Sequence, residues 1–156
     1  FGGHPMAAGL SLNEKKLLVF KEKISKLASE KLEDKDLINS LDIEGELDLN
    51  LINTSDSRFM NFLDKLGPFG PGNESPVFIT RNVYPLENPK LLGKKGEHIK
   101  FSIRKNNNTL SAIGFNKGKD GEKMSNNQSI DIAYVVEKNQ WRGNTSVQLN
   151  IKDIKH

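Results

Sequence analysis

The strongest constraint on this chain lies in its second half. Beyond "GPFGPGN" (67–73), where two prolines and three glycines forbid regular structure, five segments in succession carry the alternating signature of half-buried strands. They are "PVFITRNVY", "EHIKFSIRK", "TLSAIGFN", "SIDIAYVVEK" and "TSVQLNIKDIK". The connections between them, "LENPKLLGKKG", "NNN", "NKGKDGEKMSNNQ" and "NQWRGN", are rich in turn formers, so no crossover helix is predicted.

Five strands without crossovers imply an antiparallel barrel or sandwich. About ninety residues suit a five-stranded Greek-key barrel of the oligonucleotide/oligosaccharide-binding (OB) type, and closure hides strand edges that a small sandwich would leave open. The predicted class is therefore mainly β, α+β overall, with a strand and two amphipathic helices ahead of the barrel. The first helix is expected over Asn13–Leu32, where Leu17, Leu18, Phe20, Ile24 and Leu27 recur three and four apart. Its start is open between a Ser11/Glu14 capping box and Asn13 alone. "LDIEGELDLNLI" alternates through Leu41, Ile43, Leu47 and Leu49, which predicts a strand interrupted at Gly45. "TSDSRFMNFLDKL" predicts a short helix capped by Thr54 or Ser55, with Phe59, Phe62, Leu63 and Leu66 on one side. "PFGPGN" reads as a structural turn locking that helix to the barrel.

Charge sharpens the division. Residues 1–66 hold 9 Lys/Arg against 12 Asp/Glu, and residues 67–156 hold 14 against 8. A basic second half would attract a polyanion, although solubilising charge explains the same count. With no cysteine there is neither a disulfide framework nor a thiolate metal site, and a reducing cytosol is the default. His4, His98 and His156 are too far apart to form a metal cluster by themselves, and no stretch is long and apolar enough to span a membrane.

Within "EHIKFSIRK", Ile99, Phe101 and Ile103 face one way, while His98, Lys100, Ser102 and Arg104 face the other. In an OB barrel that outer face is where nucleic acid lies, and each Lys or Arg there neutralises a phosphate. A solvated strand face is the competing reading. Of the aromatics in this half, Phe101, Phe115 and Tyr134 are expected in the core. Trp141, beside Arg142 in the last turn, is either a stacking platform for a base or a lid on the barrel end. "GGH" (Gly2, Gly3, His4) brings backbone amides close to whatever the histidine addresses, which is weak information alone.

Taken together, "GGHPMAAGLSL", "LDIEGELDLNLI", "LGPFGPGNESPVF", "AIGFN" and "DIAYVVEKNQWRGNTSVQLNIKDIK" resemble the C-terminal part of the bacterial RecJ family, single-strand-specific 5′→3′ DNA exonucleases. The blocks follow the family's order and span essentially the whole chain. The resemblance implies a plan of DHH phosphoesterase domain, DHH-associated domain and OB barrel. It makes residues 1–32 the remnant of the second and residues 33–156 the third, with 33–67 as lead-in and 68–156 as barrel. Gly2, Gly3 and His4 then match the triplet that touches substrate phosphate. His98, Lys100, Arg104, Trp141 and Arg142 become the nucleic-acid contacts.

The family's Asp-His-His triplet is absent from these residues. The resemblance therefore places manganese or magnesium in a catalytic domain outside the chain, and the chain alone is expected to be inactive. The implied partners are single-stranded DNA and DNA-repair proteins, in the cytoplasm and without a membrane. A DHH-superfamily oligonucleotide phosphoesterase and an OB-type protein-interaction module are the alternatives.

Overall fold

The computed structural model describes residues 1–4, 7–37, 40–52, 54, 56–126 and 128–156. The chain forms two compact units, residues 1–41 and 42–156.

In the first unit, β1 (Gly2–His4) pairs antiparallel with β2 (Ala7–Gly9), with Gly3 opposite Ala8. A Cβ at Gly3 would lie 2.7 Å from Ala8 Cα, so this ribbon needs glycine there. One 3-10 turn, Glu14–Lys16, leads into α1 (Leu17–Lys31). Asn13 Oδ1 accepts the Lys15 N–H at 3.0 Å, which decides between the two expected caps in favour of Asn13. The acidic stretch ends the helix: Leu32 is extended, and Asp36 accepts the Glu33 N–H.

The second unit runs β3 (Gly45–Glu46), α2 (Arg58–Leu66), β4 (Phe78–Pro85), β5 (Lys90–Leu92), β6 (His98–Lys105), β7 (Asn108–Gly114), α3 (Gly118–Lys123), β8 (Ile130–Trp141) and β9 (Asn144–Lys155). The pairs β4–β6, β6–β7, β7–β9, β9–β8 and β8–β4 close a barrel, with β7–β9 parallel and the rest antiparallel. This is the expected five-stranded OB topology, and the sandwich is ruled out by closure. Alternate residues fill it, among them Ile99, Phe101 and Ile103 of β6 and Ile132, Tyr134 and Val136 of β8. The buried Tyr134 hydroxyl meets Thr80 Oγ1 at 2.7 Å, and Thr80 donates to the Leu47 carbonyl at 2.7 Å. Those bonds tie the lead-in to the barrel wall, and among the described residues no buried side-chain polar atom is left unpaired.

Several local expectations are corrected. The strand predicted over 41–52 shrinks to β3, which pairs parallel with β4; Leu41 and Ile43 are exposed, and Leu49–Ile52 is a 3-10 turn. Alternation there arises from one pairing plus a helical turn that buries Leu49 and Ile52. The cap of α2 is Ser57, whose Oγ accepts the Met60 N–H at 3.3 Å, and not Thr54; Ser55 lies outside the described residues. Helix α2 buries Met60 and Leu63, leaving Phe62 and Leu66 exposed. The turn at 67–73 does lock the helix: Asn73 Nδ2 donates to the carbonyls of Leu66 and Pro68 at 3.0 Å each.

Helix α3 and strand β5 stand where linkers are expected. In α3 a Cβ at Gly118 would meet Gly96 O at 2.1 Å, and one at Gly121 would meet Ile99 Cγ2 at 2.5 Å. The glycines that hide this helix from pattern reading are what let it sit so close to the barrel. Phe115 is also corrected: it is 51% exposed, not core.

Candidate nucleic-acid interface

Residues opposite one another in a sheet point to the same side, so strand register builds the barrel's outer face. Lys100 faces Lys90 of β5 and Ile113 of β7. Ser102 faces Ser111, which faces Gln148 of β9, which faces Glu137 of β8. Arg104 faces Tyr84 of β4 and Thr109 of β7. Two residues on from the Glu137–Gln148 pair lies Asn139–Ser146, and two further Trp141–Asn144, so Trp141 shares this face at its Arg104 end. Lys100 and Arg104 are four residues apart, about 13 Å along the strand.

On this face the cations Lys90, Lys100 and Arg104 outnumber the single carboxylate of Glu137. Lys90 and Lys100 lie directly opposite each other, an arrangement unfavourable in an isolated sheet. Among the described residues, Lys90, Lys100, Arg104 and Arg142 make no ion pair, whereas Lys117 and Lys138 on other surfaces do. The Glu137 carboxylate, which shares the face, accepts a hydrogen bond from Asn150 Nδ2 at 2.7 Å. Thr109, Ser111, Thr145 and Ser146 line a cleft of about 410 Å³ beside the hairpin base. Hydroxyls and cations in this arrangement suit a phosphodiester chain better than an apolar surface.

The hairpin tip is built for exposure. Arg142 and Gly143 have φ of 49° and 81°, the two positive values that a two-residue turn matching strand twist requires. Few non-glycine residues adopt such a φ, and here the Arg142 guanidinium lies 5.7 Å from the Trp141 ring centroid. Trp141 is 68% exposed, so it is no lid on the barrel.

His98 is held more firmly than the stripe implied. The Asn116 N–H donates to its Nδ1 at 3.0 Å, and Phe115 packs edge-on at 5.4 Å; with Nδ1 accepting, Nε2 is the ring's donor. Gly2, Gly3 and His4 are exposed on β1 in the other unit. Sequence reasoning missed Lys90, whose strand is only three residues long, and gave Tyr84 no role. Tyr84 alternates with buried Val83 and Pro85, and that parity marks it as outward.

A closed five-stranded barrel with a parallel β7–β9 pair and a polar, cationic face across β6 and β7 defines an OB-fold protein. Among such barrels this chain belongs to the RecJ OB domain family, which it matches over residues 43–153. It is 31% identical over 98% of its length to the single-stranded-DNA-specific exonuclease RecJ of Bacillus subtilis (strain 168), covering 19% of that protein. It is 30% identical over 99% of its length to the RecJ of Salmonella typhimurium, covering 26%. The chain thus spans about a fifth to a quarter of these curated relatives. The crystal structure of RecJ in complex with Mn2+ from Thermus thermophilus shares the fold, with a TM-score of 0.69 at 22% identity over 99% of this chain and 21% of that one.

Manganese or magnesium would need several converging oxygen or nitrogen ligands. Among the described residues no three His, Asp or Glu side chains converge, so those residues offer no donor set that fits such an ion. Nor is any described helix long and apolar enough to cross a membrane.

Proposed function

We propose that this chain is the strand-holding end of a single-stranded-DNA-specific exonuclease, the activity for which its curated relatives are named. The observation that carries this reading is the cationic face without ion pairs, with Lys90 set against Lys100 and Arg104 four residues further along β6. A phosphodiester backbone laid across β6 and β7 relieves that repulsion. Lys100 and Arg104 neutralise phosphates, His98 Nε2–H donates to one, and Trp141, with Tyr84 at the Arg104 end, stacks bases. Arg142 keeps the indole oriented and adds a cation at the tip.

Residues 1–32 are the remnant of a DHH-associated domain, and Gly2, Gly3 and His4 address substrate phosphate where that domain meets the catalytic one. Hydrolysis, with its manganese or magnesium, belongs to the catalytic domain, so the chain alone releases no nucleotides. Its setting is DNA repair and recombination in the cytoplasm, with repair proteins as further partners.

The test is titration of labelled oligodeoxythymidylate by anisotropy between about 50 and about 200 mM salt. Lys100→Ala with Arg104→Ala should weaken binding and lower the log–log salt slope by about 1.4, at about 0.7 per phosphate contact on single strands. An unchanged slope and affinity would make the face a solvated surface and nothing more.

A further inference from the structure

A second surface of residues 42–156 has the opposite character. Phe59 and Phe78 pack edge-to-face at 5.6 Å and form the floor of a cleft of about 420 Å³ that Phe62 and Phe69 flank. That volume falls within the range of ligand-sized clefts, about 300–1,000 Å³. Phe62 is 60% exposed although it sits on a helix that buries Met60 and Leu63 in the core. The walls are fixed before anything binds. Asn73 holds the carbonyls of Leu66 and Pro68, Gly70 and Asn73 exchange backbone hydrogen bonds at 2.8 and 2.9 Å, and Lys138 pins α2 through Asp64. Preformed walls lower the ordering cost of binding.

The rim decides what fits. Glu44 and Glu74 line the cleft, and among the described residues neither makes an ion pair. Two free carboxylates within a Debye length of the aromatic floor repel a phosphate backbone, so these phenylalanines are not base-stacking platforms. The same carboxylates favour a bulky apolar side chain flanked by Lys or Arg, whose cations also suit the faces of the rings.

We propose that this cleft is a protein-docking site for a short segment carrying an aromatic or aliphatic anchor next to basic residues. It is separate from the DNA face and works by the opposite charge. Binding is read by amide chemical-shift mapping of the whole chain with the peptide acetyl-Gly-Lys-Phe-Leu-Arg-Gly-amide and its counterpart with Glu for Lys and Arg. The basic peptide should shift resonances around Phe59, Phe69 and Phe78 and bind at least tenfold more tightly than the acidic one.

Glu44→Lys with Glu74→Lys should invert that preference. Phe62→Ala should weaken binding at least tenfold while leaving spectral dispersion intact, since its ring is largely outside the core. The proposal falls if the basic peptide shifts nothing there at millimolar concentration, or if both peptides bind alike. It falls equally if oligodeoxythymidylate shifts the same resonances, or if the cleft is filled by a second copy, seen as self-association lost in Phe62→Ala.

Discussion

Each of the two units of this chain holds an element that is easy to read, helix α1 in one and strand β6 in the other, and these differ in what they bury. Helix α1 follows a 3-10 turn capped by Asn13 and has a period and an apolar stripe, yet no described residue of 1–41 is buried, and Leu18 is 75% exposed. In residues 42–156, strand β6 puts Ile99, Phe101 and Ile103 at 2% exposure or less. Local signals specify a helix or a strand. Only a second surface of matching shape turns its apolar face into stability, and about forty residues rarely supply one. The barrel unit therefore holds the chain's cooperative core.

The comparison breaks first at the core. Phe101→Ala should cost the barrel about 3–5 kcal/mol, the range for truncating a buried aromatic. Ile24→Ala, an equally apolar position on α1, should leave the barrel's unfolding midpoint within about 0.5 kcal/mol of the parent. Urea denaturation followed by Trp141 fluorescence and by far-ultraviolet dichroism reads both. Similar losses from the two substitutions would mean that the units unfold as one.

A pH scan sharpens it next. Burial pushes the Tyr134 phenol up to about 12, against 10 for a free tyrosine, with the Thr80 hydrogen bond acting the other way. The folded state thus prefers the protonated phenol. Its contribution is full below pH about 10 and is lost as pH rises towards 12, roughly 3 kcal/mol across two units. Alkali should unfold residues 42–156 through this window, and Tyr134→Phe should flatten the decline while Thr80 keeps its bond to the Leu47 carbonyl. An unaltered alkaline profile in the variant would assign the loss to other groups.

The strands are legible where period-two alternation and burial agree, along β6 and β7 and over residues 147–151 of β9; register shifts interrupt the alternation in β4 and β8. The cationic face follows from the same parity, since placing Phe101 inside places Lys100 and Arg104 outside. What is not legible depends on partners distant in sequence. Lys90 joins the face only because three residues of β5 pair with the start of β6. Helix α3 has no apolar period, because close packing on Ile99 replaces side chains with Gly118 and Gly121. Residue type alone puts Phe115 in the core, although its parity with Ile113 on the outer side of β7 argues otherwise. The aromatic cleft is hidden because a helical stripe does not say which of its members the core has room for: Met60 and Leu63 fill it, and Phe62 is left outside.

The finest test uses the same chemistry in both units. Ser57 and Asn13 each satisfy one orphan N–H at a helix start, through Met60 and Lys15 respectively. Replacing such a cap by Ala costs about 1 kcal/mol of helix stability. In α2 that cost reaches the barrel, because Met60 and Leu63 belong to its core, so Ser57→Ala should lower the barrel's unfolding free energy by about 1 kcal/mol. In α1 the same loss has no buried residue through which to act. Asn13→Ala should fray that helix, seen as a small drop in helical dichroism and faster amide exchange over residues 14–20, with the barrel transition unmoved. A barrel shift of similar size from Asn13→Ala would show that α1 is coupled to the core after all, and the division drawn between the two units would have to be given up.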